Sequence, residues 1–257
     1  MQVCSYEDFI RLIQKKVGID LSSYKEKQMK RRINSLMNRN QKFSYLDYYK
    51  LIESSQKHMD EFLNYLTINV SEFFRNPLQW QVLEKKILPE LIKLNKRIKV
   101  WSCACSTGEE AYSITMILAN LTDSFKVLAT DIDETVLNKA RKGIYEKKIA
   151  EKIPSLMLKK YFSQIEENFF EVNKEIKKFI DFKKLDILKD PYPKNCDLII
   201  CRNVMIYFTN EAKNKVYKKI YDSLNNGGVL FVGSTEQILT PQKFGFLPIQ
   251  HFFYKKT

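Results

Sequence analysis

The chain has 257 residues, 44% apolar, 28% charged and 13% aromatic, with seven glycines and seven prolines. That composition excludes a disordered, collagen-like or low-complexity chain and suits one large domain or two unequal ones. The 43 basic residues against 30 acidic ones, net +13, ask for an acidic partner, and nucleic acid, an anionic membrane surface and an acidic protein all fit.

In chain order, Met1–Asp8 shows neither a basic nor an apolar leader region, so no signal peptide is expected. Tyr6, Phe9, Ile10, Ile13 and Val17 recur at helical spacing, and Gly18 supplies a stop. Ile33, Leu36 and Met37 mark a second helix, Tyr45–Ile52 a third after Ser44, and Met59, Phe62, Leu63 and Leu66 a fourth. Residues 1–75 therefore read as a small all-α domain with a linker. Between Lys25 and Lys42 lie Lys27, Lys30, Arg31, Arg32 and Arg39, with Glu26 the lone acid. This is either a solvated helix face or a docking face for an anionic partner.

Residues 76–257 change character. Ile98–Ala104 predicts a buried strand, Ala111–Leu121 an apolar helix, and Phe125–Thr130 a second strand ending in Asp131-Ile132-Asp133. A helix through Leu137 and Ala140 follows, then strands at Phe179–Leu185, Asp197–Cys201 and Val229–Gly233, with a helix at Asn210–Leu224. Strands alternating with helices predict an α/β fold with a parallel, doubly wound sheet. Short strands at Tyr161-Phe162, Phe169–Val172 and Ile176–Phe182 predict a small antiparallel insertion at about 150–182. Gly233–Glu236 and Gln250–Lys255 predict a closing antiparallel pair. No apolar run approaches the ~20 residues of a membrane span. Five scattered cysteines without an export signal predict reduced thiols in a cytosolic protein. Zinc is not expected, because only Cys103 and Cys105 are close neighbours and His58 and His251 are remote from them in sequence.

In such a sheet, ligands bind beyond the carboxyl ends of the strands. The first strand runs into the small-residue loop Ala104-Cys105-Ser106-Thr107-Gly108, which lets a ligand approach the backbone. Its single glycine does not make a dinucleotide fingerprint, and no Gly-Lys-Ser/Thr follows to make a P-loop. Asp131 ends the second strand 23 residues after Gly108, the spacing of an acid that accepts from ribose hydroxyls. A nucleoside without a pyrophosphate follows, and S-adenosylmethionine is the commonest such cofactor.

Four segments resemble the chemotaxis receptor methyltransferases of the CheR family: Thr67-Ile68-Asn69-Val70-Ser71-Glu72-Phe73-Phe74-Arg75, Trp101 to Glu110 with its Ser106-Thr107-Gly108-Glu109-Glu110 core, Ala129-Thr130-Asp131-Ile132-Asp133, and Cys201-Arg202-Asn203-Val204-Met205-Ile206-Tyr207-Phe208. The resemblance runs in order along nearly the whole chain. It implies a Rossmann-like S-adenosylmethionine-dependent methyltransferase sheet with an inserted β-subdomain, preceded by an all-α substrate-recognition domain. It also implies methyl transfer to glutamate carboxylates on the cytoplasmic helical bundle of chemoreceptors, with S-adenosylhomocysteine as product. The enzyme is then expected in the cytoplasm beside receptor arrays, as a monomer, with neither nucleic acid nor membrane insertion involved.

Carried over by motif, Asn69, Ser71 and Arg75 approach the cofactor from the linker, with Gly108 in the loop, Glu110 at the methionyl end and Asp131 at the ribose. Asp186 and Ile187 lie by the adenine, and Arg202, Asn203 and Tyr207 line the reacting end. Arg75, Arg202 and Tyr207 are the expected catalytic set, and Lys27, Lys30, Arg31 and Arg39 the expected docking set. Gly233-Ser234-Thr235-Glu236 departs slightly from the family's Gly-His-Ser-Glu, with no catalytic role attached to it. Glutamate, with a reference pKa of about 4.3, is ionised at neutral pH and needs no general base. Two rivals remain, a nucleic-acid methyltransferase and a non-catalytic S-adenosylmethionine-binding adapter on receptor arrays. The first would normally carry Asn/Asp-Pro-Pro-Tyr where Arg202-Asn203-Val204-Met205 stands.

Overall fold

The computed structural model describes residues 4–67 and 69–257; Ile68 of the Thr67–Arg75 run and the first three residues of the N-terminal octet lie outside the described residues. Helices Tyr6–Val17 (α1), Glu26–Arg39 (α2), Tyr45–Ser54 (α3) and Gln56–Leu66 (α4) form the N-terminal bundle. α1 starts on a capping box, in which Ser5 Oγ accepts the Asp8 N–H at 3.1 Å while Asp8 accepts the Ser5 N–H at 3.1 Å. It stops at Gly18, where φ is +77°. Each helix buries one stripe, including Phe9 and Ile13, Ile33 and Leu36, Tyr48 and Ile52, and Phe62 and Leu66. Phe9 stands edge-to-face on Phe62 at the centre of this core.

Helices Pro77–Val82 (α5) and Leu88–Leu94 (α6), joined by a π-helical turn at Leu83–Ile87, lead into the sheet domain. There follow Ile98–Cys103 (β1), Glu109–Leu121 (α7), Phe125–Asp131 (β2), Glu134–Lys142 (α8) and Ile144–Glu146 (β3). Next come Lys147–Ala150 (α9), Ser155–Tyr161 (α10), Phe162–Glu166 (β4), Phe169–Val172 (β5), Lys174–Lys177 (α11) and Ile180–Lys184 (β6). Cys196–Cys201 (β7), Asn210–Ser223 (α12), Leu224–Val232 (β8), Phe246–Gln250 (β9) and Phe253–Lys256 (β10) complete the chain.

The seven-stranded sheet has the order β6-β2-β1-β7-β8-β10-β9. Its first five strands are parallel, and β10 and β9 add as antiparallel neighbours. Side chains alternate between two cores. Val100 packs with Ile114, Ile117 and Phe231 on one face, and Trp101 packs with Ile199, Ile220 and Leu230 on the other. The chain winds outward from β1 through β2 to β6, then returns to β7 and β8 on the other side. The β1/β7 boundary is therefore the topological switch point, where the carboxyl ends open a crevice. Cys103 is in register with Thr130 on one side and Cys201 on the other, so the strand ends finish level there.

The structure departs from the sequence reading in two places. The inserted sheet has the order β3-β5-β4 and spans Ile144 to Val172 rather than about 150–182. Ile176–Phe182 does not join it. Its first residues make the turn α11, and Ile180–Lys184 is the parallel edge strand β6, because Ile176 and Ile180 both pack into the main core. Gly233–Glu236 is a turn, not a strand, and β9 takes its place beside β10. No helix among the described residues is long and apolar enough to cross a membrane.

Candidate active site

A cleft of about 1160 Å³, solvent included, opens over the switch point, between the strand ends and the helical bundle. Asn69, Ser71, Arg75, Glu110, Asp131, Asp186, Ile187, Arg202, Asn203 and Tyr207 all line it. Five of the eight described non-glycine residues with positive φ border this region: Phe74, Asn76, Ala104, Ser106 and Asn203. Left-handed residues at strand ends turn backbone amides and side chains toward a ligand, and clustering of such strain marks functional loops.

Asp131, at the end of β2, is buried. It accepts the Ser106 N–H at 2.8 Å and the Asp133 N–H at 3.1 Å. Burial still pushes its pKa up to about 6, against those two amides. Ser106 Oγ is buried and unpartnered in the same wall of the cleft. An orphaned hydroxyl beside a buried carboxylate suits a hydroxyl-bearing nucleoside. Asp186, which accepts the Leu188 N–H at 2.8 Å, is likewise raised by burial. Between these acids stands Tyr24, whose phenol is pushed up by burial first and by Asp186 and Asp131 next.

Glu110, in the first turn of α7, accepts the Ser102 hydroxyl at 2.8 Å and lies 3.8 Å from Arg202. Burial outweighs both partners and lifts its pKa to about 7. Arg202 is itself a strut. One guanidinium nitrogen donates to the Arg75 carbonyl at 2.9 Å, Asn76 Oδ1 at 2.9 Å and Gln79 Oε1 at 3.1 Å, and the plane rests on Phe231. It thereby ties the end of β7 to the turn that carries Arg75. Asn69 is also committed, donating to Asp133 Oδ2 at 3.0 Å, so that it fastens the linker to the start of α8 while bordering the cleft.

Gly108 does not line the cleft. Its φ of +97° starts α7, and a Cβ there would sit 2.9 Å from Ala140 Cβ. It serves the turn and the close approach of α8, which are backbone requirements. The expected docking residues Lys27, Lys30, Arg31 and Arg39 do not line the cleft either. Lys27, Arg31 and Arg39 are exposed, and Lys30 pairs with Glu26 at 3.2 Å. Instead Lys25, Gln28 and Arg32 of the same segment face the cleft beside Tyr207. Lys25, Gln28 and Arg32 share one face at helical spacing, a signal that counting charges along the segment passed over.

Four further residues escaped the sequence reading. Tyr24 bridges to Phe208, with the rings edge-to-face at 5.1 Å, which joins the bundle to the sheet. Tyr145 of β3 donates to the Thr107 carbonyl at 2.7 Å and packs on Phe73, so the insertion braces the loop after β1. Ser106 and Arg32 complete the set. Among the described residues no group of three or more His, Cys, Asp or Glu is placed to hold a metal ion.

Residues 5–67 match the family described as "CheR methyltransferase, all-alpha domain", and residues 69–253 match "CheR methyltransferase, SAM binding domain". A chemotaxis protein methyltransferase of Listeria innocua is 40% identical over 98% of this chain and 97% of its own length. Proteins of the same name from Borreliella burgdorferi and Escherichia coli are each 34% identical, covering 89% and 88% of this chain and 86% and 82% of their own.

Proposed function

This chain belongs to the CheR methyltransferase family, a premise from which we propose that it methylates glutamate side chains of chemoreceptors, giving methyl esters and S-adenosylhomocysteine. Its fold and relatives make it an S-adenosylmethionine-dependent methyltransferase of chemotaxis. The acceptor is the proposal's own step.

The observation that carries the reading is the composition of the cleft. Lys25, Arg32, Arg75 and Tyr207 share it with Glu72, Asp131, Glu110 and Asp186, and no histidine among the described residues lines it. Asp131 would accept from the ribose hydroxyls of the cofactor, Glu110 would receive its ammonium group, and Asp186 with Ile187 would border the adenine. When bound, S-adenosylmethionine supplies an electrophilic methyl group on a sulfonium. The cations of the chain attract a carboxylate acceptor that is already ionised at neutral pH, so no residue has to remove a proton. Arg75 and Tyr207 orient its oxygens, and the enclosing bundle excludes water. Arg202 acts by holding the Arg75 turn and facing Glu110.

Within this reading residues 1–75 recognise the receptor and 76–257 carry the transfer. The exposed cations Lys27, Arg31 and Arg39, with Lys30, meet the acidic helical bundle of the receptor. The enzyme works as a monomer in the cytoplasm beside receptor arrays. The test is mass spectrometry of a purified chemoreceptor cytoplasmic fragment after incubation with enzyme and S-adenosylmethionine. Methyl mass on glutamate-containing peptides supports the reading; methylated RNA or DNA with an unmodified receptor overturns it.

A further inference from the structure

Glu236 lies in the turn after β8 and is 6% exposed. Its Oε2 accepts the backbone N–H of Asn203 and, at 3.0 Å, that of Gly233; its Oε1 accepts the N–H of Ile206 at 3.1 Å. Among the described residues no lysine or arginine pairs with it. A carboxylate withdrawn from water and held by three backbone amides is a strong, directional clamp. What it grips is the loop after β7, in which Asn203 takes φ +61° and Met205–Tyr207 form a single 3-10 turn.

That loop is also where the bundle meets the sheet. The Tyr207 carbonyl accepts the Lys25 N–H at 2.8 Å, and the Thr209 N–H donates to Ser23 at 2.9 Å. We infer that Glu236 is a positioning residue for methyl transfer, its carboxylate templating Asn203–Tyr207 so that Tyr207 and the amino end of α2 stand against the cofactor. The inference rests on the receptor-methylation reading. Asp131, Glu110 and Asp186 are held by Ser106 and Asp133, by Ser102 and Arg202, and by Leu188, and none of these contacts is made to Glu236, whose charge reaches the cofactor side of the cleft only by raising the Glu110 carboxyl. Cofactor affinity and turnover should therefore separate when the clamp is weakened.

Two variants weaken it by different routes. Glu236→Gln replaces one accepting oxygen with an amide that confronts backbone N–H groups. Gly233→Ala keeps the glutamate at 236 but builds a Cβ 2.5 Å from Oε2 and 3.0 Å from the Asn203 nitrogen, so the carboxylate has to shift off its amides. Each should lower kcat on the receptor fragment by about tenfold or more while the Kd for S-adenosylhomocysteine, read by calorimetry, moves by less than about threefold. The double variant should fall short of the product of the two effects, as expected when both break one clamp. Hydrogen exchange should quicken at Asn203, Ile206, Lys25 and Thr209 but not at Ser106 or Asp133 in both variants. Parallel losses of Kd, kcat and Tm would assign Glu236 a general structural role and overturn the inference, as would unchanged exchange at those four amides. A wild-type enzyme silent on the receptor, with exchange still quickened in the variants, would defeat the receptor reading and leave the clamp standing.

Discussion

Arg202 lies 3.8 Å from the carboxylate of Glu110 beneath the cleft, and burial still leaves that carboxylate with a pKa of about 7. Asp131 sits at about 6 for the same reason. The ligand-free cleft thus contains two acids that are partly protonated near neutrality, faced by Arg202, Arg75 and Glu236 around Glu110. An ammonium and ribose hydroxyls favour the ionised forms. Affinity for S-adenosylmethionine should rise by about tenfold between about pH 6 and about pH 8 and level off above that. Calorimetry across that range reads it, and Glu110→Gln should flatten most of the slope. A wild-type affinity independent of pH would show that neither acid meets the ligand.

The same shift has a cost in stability. A carboxyl whose folded pKa lies above its unfolded value binds more protons when folded, so its contribution declines as pH rises from about 4.5 to about 7. Ligand-free Glu110→Gln should be at least as stable as wild type near pH 8, by up to roughly 3 kcal/mol from the removed burial of charge. Near pH 5 the difference should shrink to under about 1 kcal/mol. Thermal melts at the two pH values decide this; a variant weakened more at high pH than at low would contradict it.

Gly108 supports the site through its backbone, at the turn that starts α7. Gly108→Ala forces an L side chain to φ +97° and presses its Cβ on Ala140. A loss of about 2 kcal/mol or more is expected. The shifted loop should also carry the Ser106 amide off Asp131. Thermal unfolding with and without S-adenosylhomocysteine should show a lower Tm and a smaller ligand-induced rise; a variant with wild-type Tm would refute the backbone argument.

The two faces of α2 predict different kinetics. Lys27→Ala or Arg31→Ala on the exposed side should raise the KM for the receptor fragment severalfold, an effect that fades as salt screens the approach, and leave kcat in place. Arg32→Ala, within the cleft, should lower kcat instead. Equal behaviour of the two sets would remove the distinction between docking and orientation.

The repeating elements were legible because burial enforces period. The stripes of α1 to α4 and the apolar runs of β1, β2 and β7 have no other physical explanation. β3 was not legible, since Ile144-Tyr145-Glu146 is three residues long and buries only Tyr145. Ile176–Phe182 misled because a turn and an edge strand, each with apolar anchors, run together without a glycine or proline between them. In the site, strand-end acids announce themselves by spacing. Ser106, Tyr24, Arg32 and Glu236 do not, because their roles depend on contacts between segments far apart in the chain. Glu236 grips amides some thirty positions earlier, and no local pattern encodes that.

The most direct measurement is transfer of labelled methyl from S-adenosylmethionine to a chemoreceptor cytoplasmic fragment, followed by mild base. The account predicts label released as methanol, as from a carboxyl ester, and absent from fragments whose methylation-site glutamates are changed to alanine. Base-stable label, or label that persists after those substitutions, would contradict a carboxylate acceptor and with it the reading of a cleft that needs no general base.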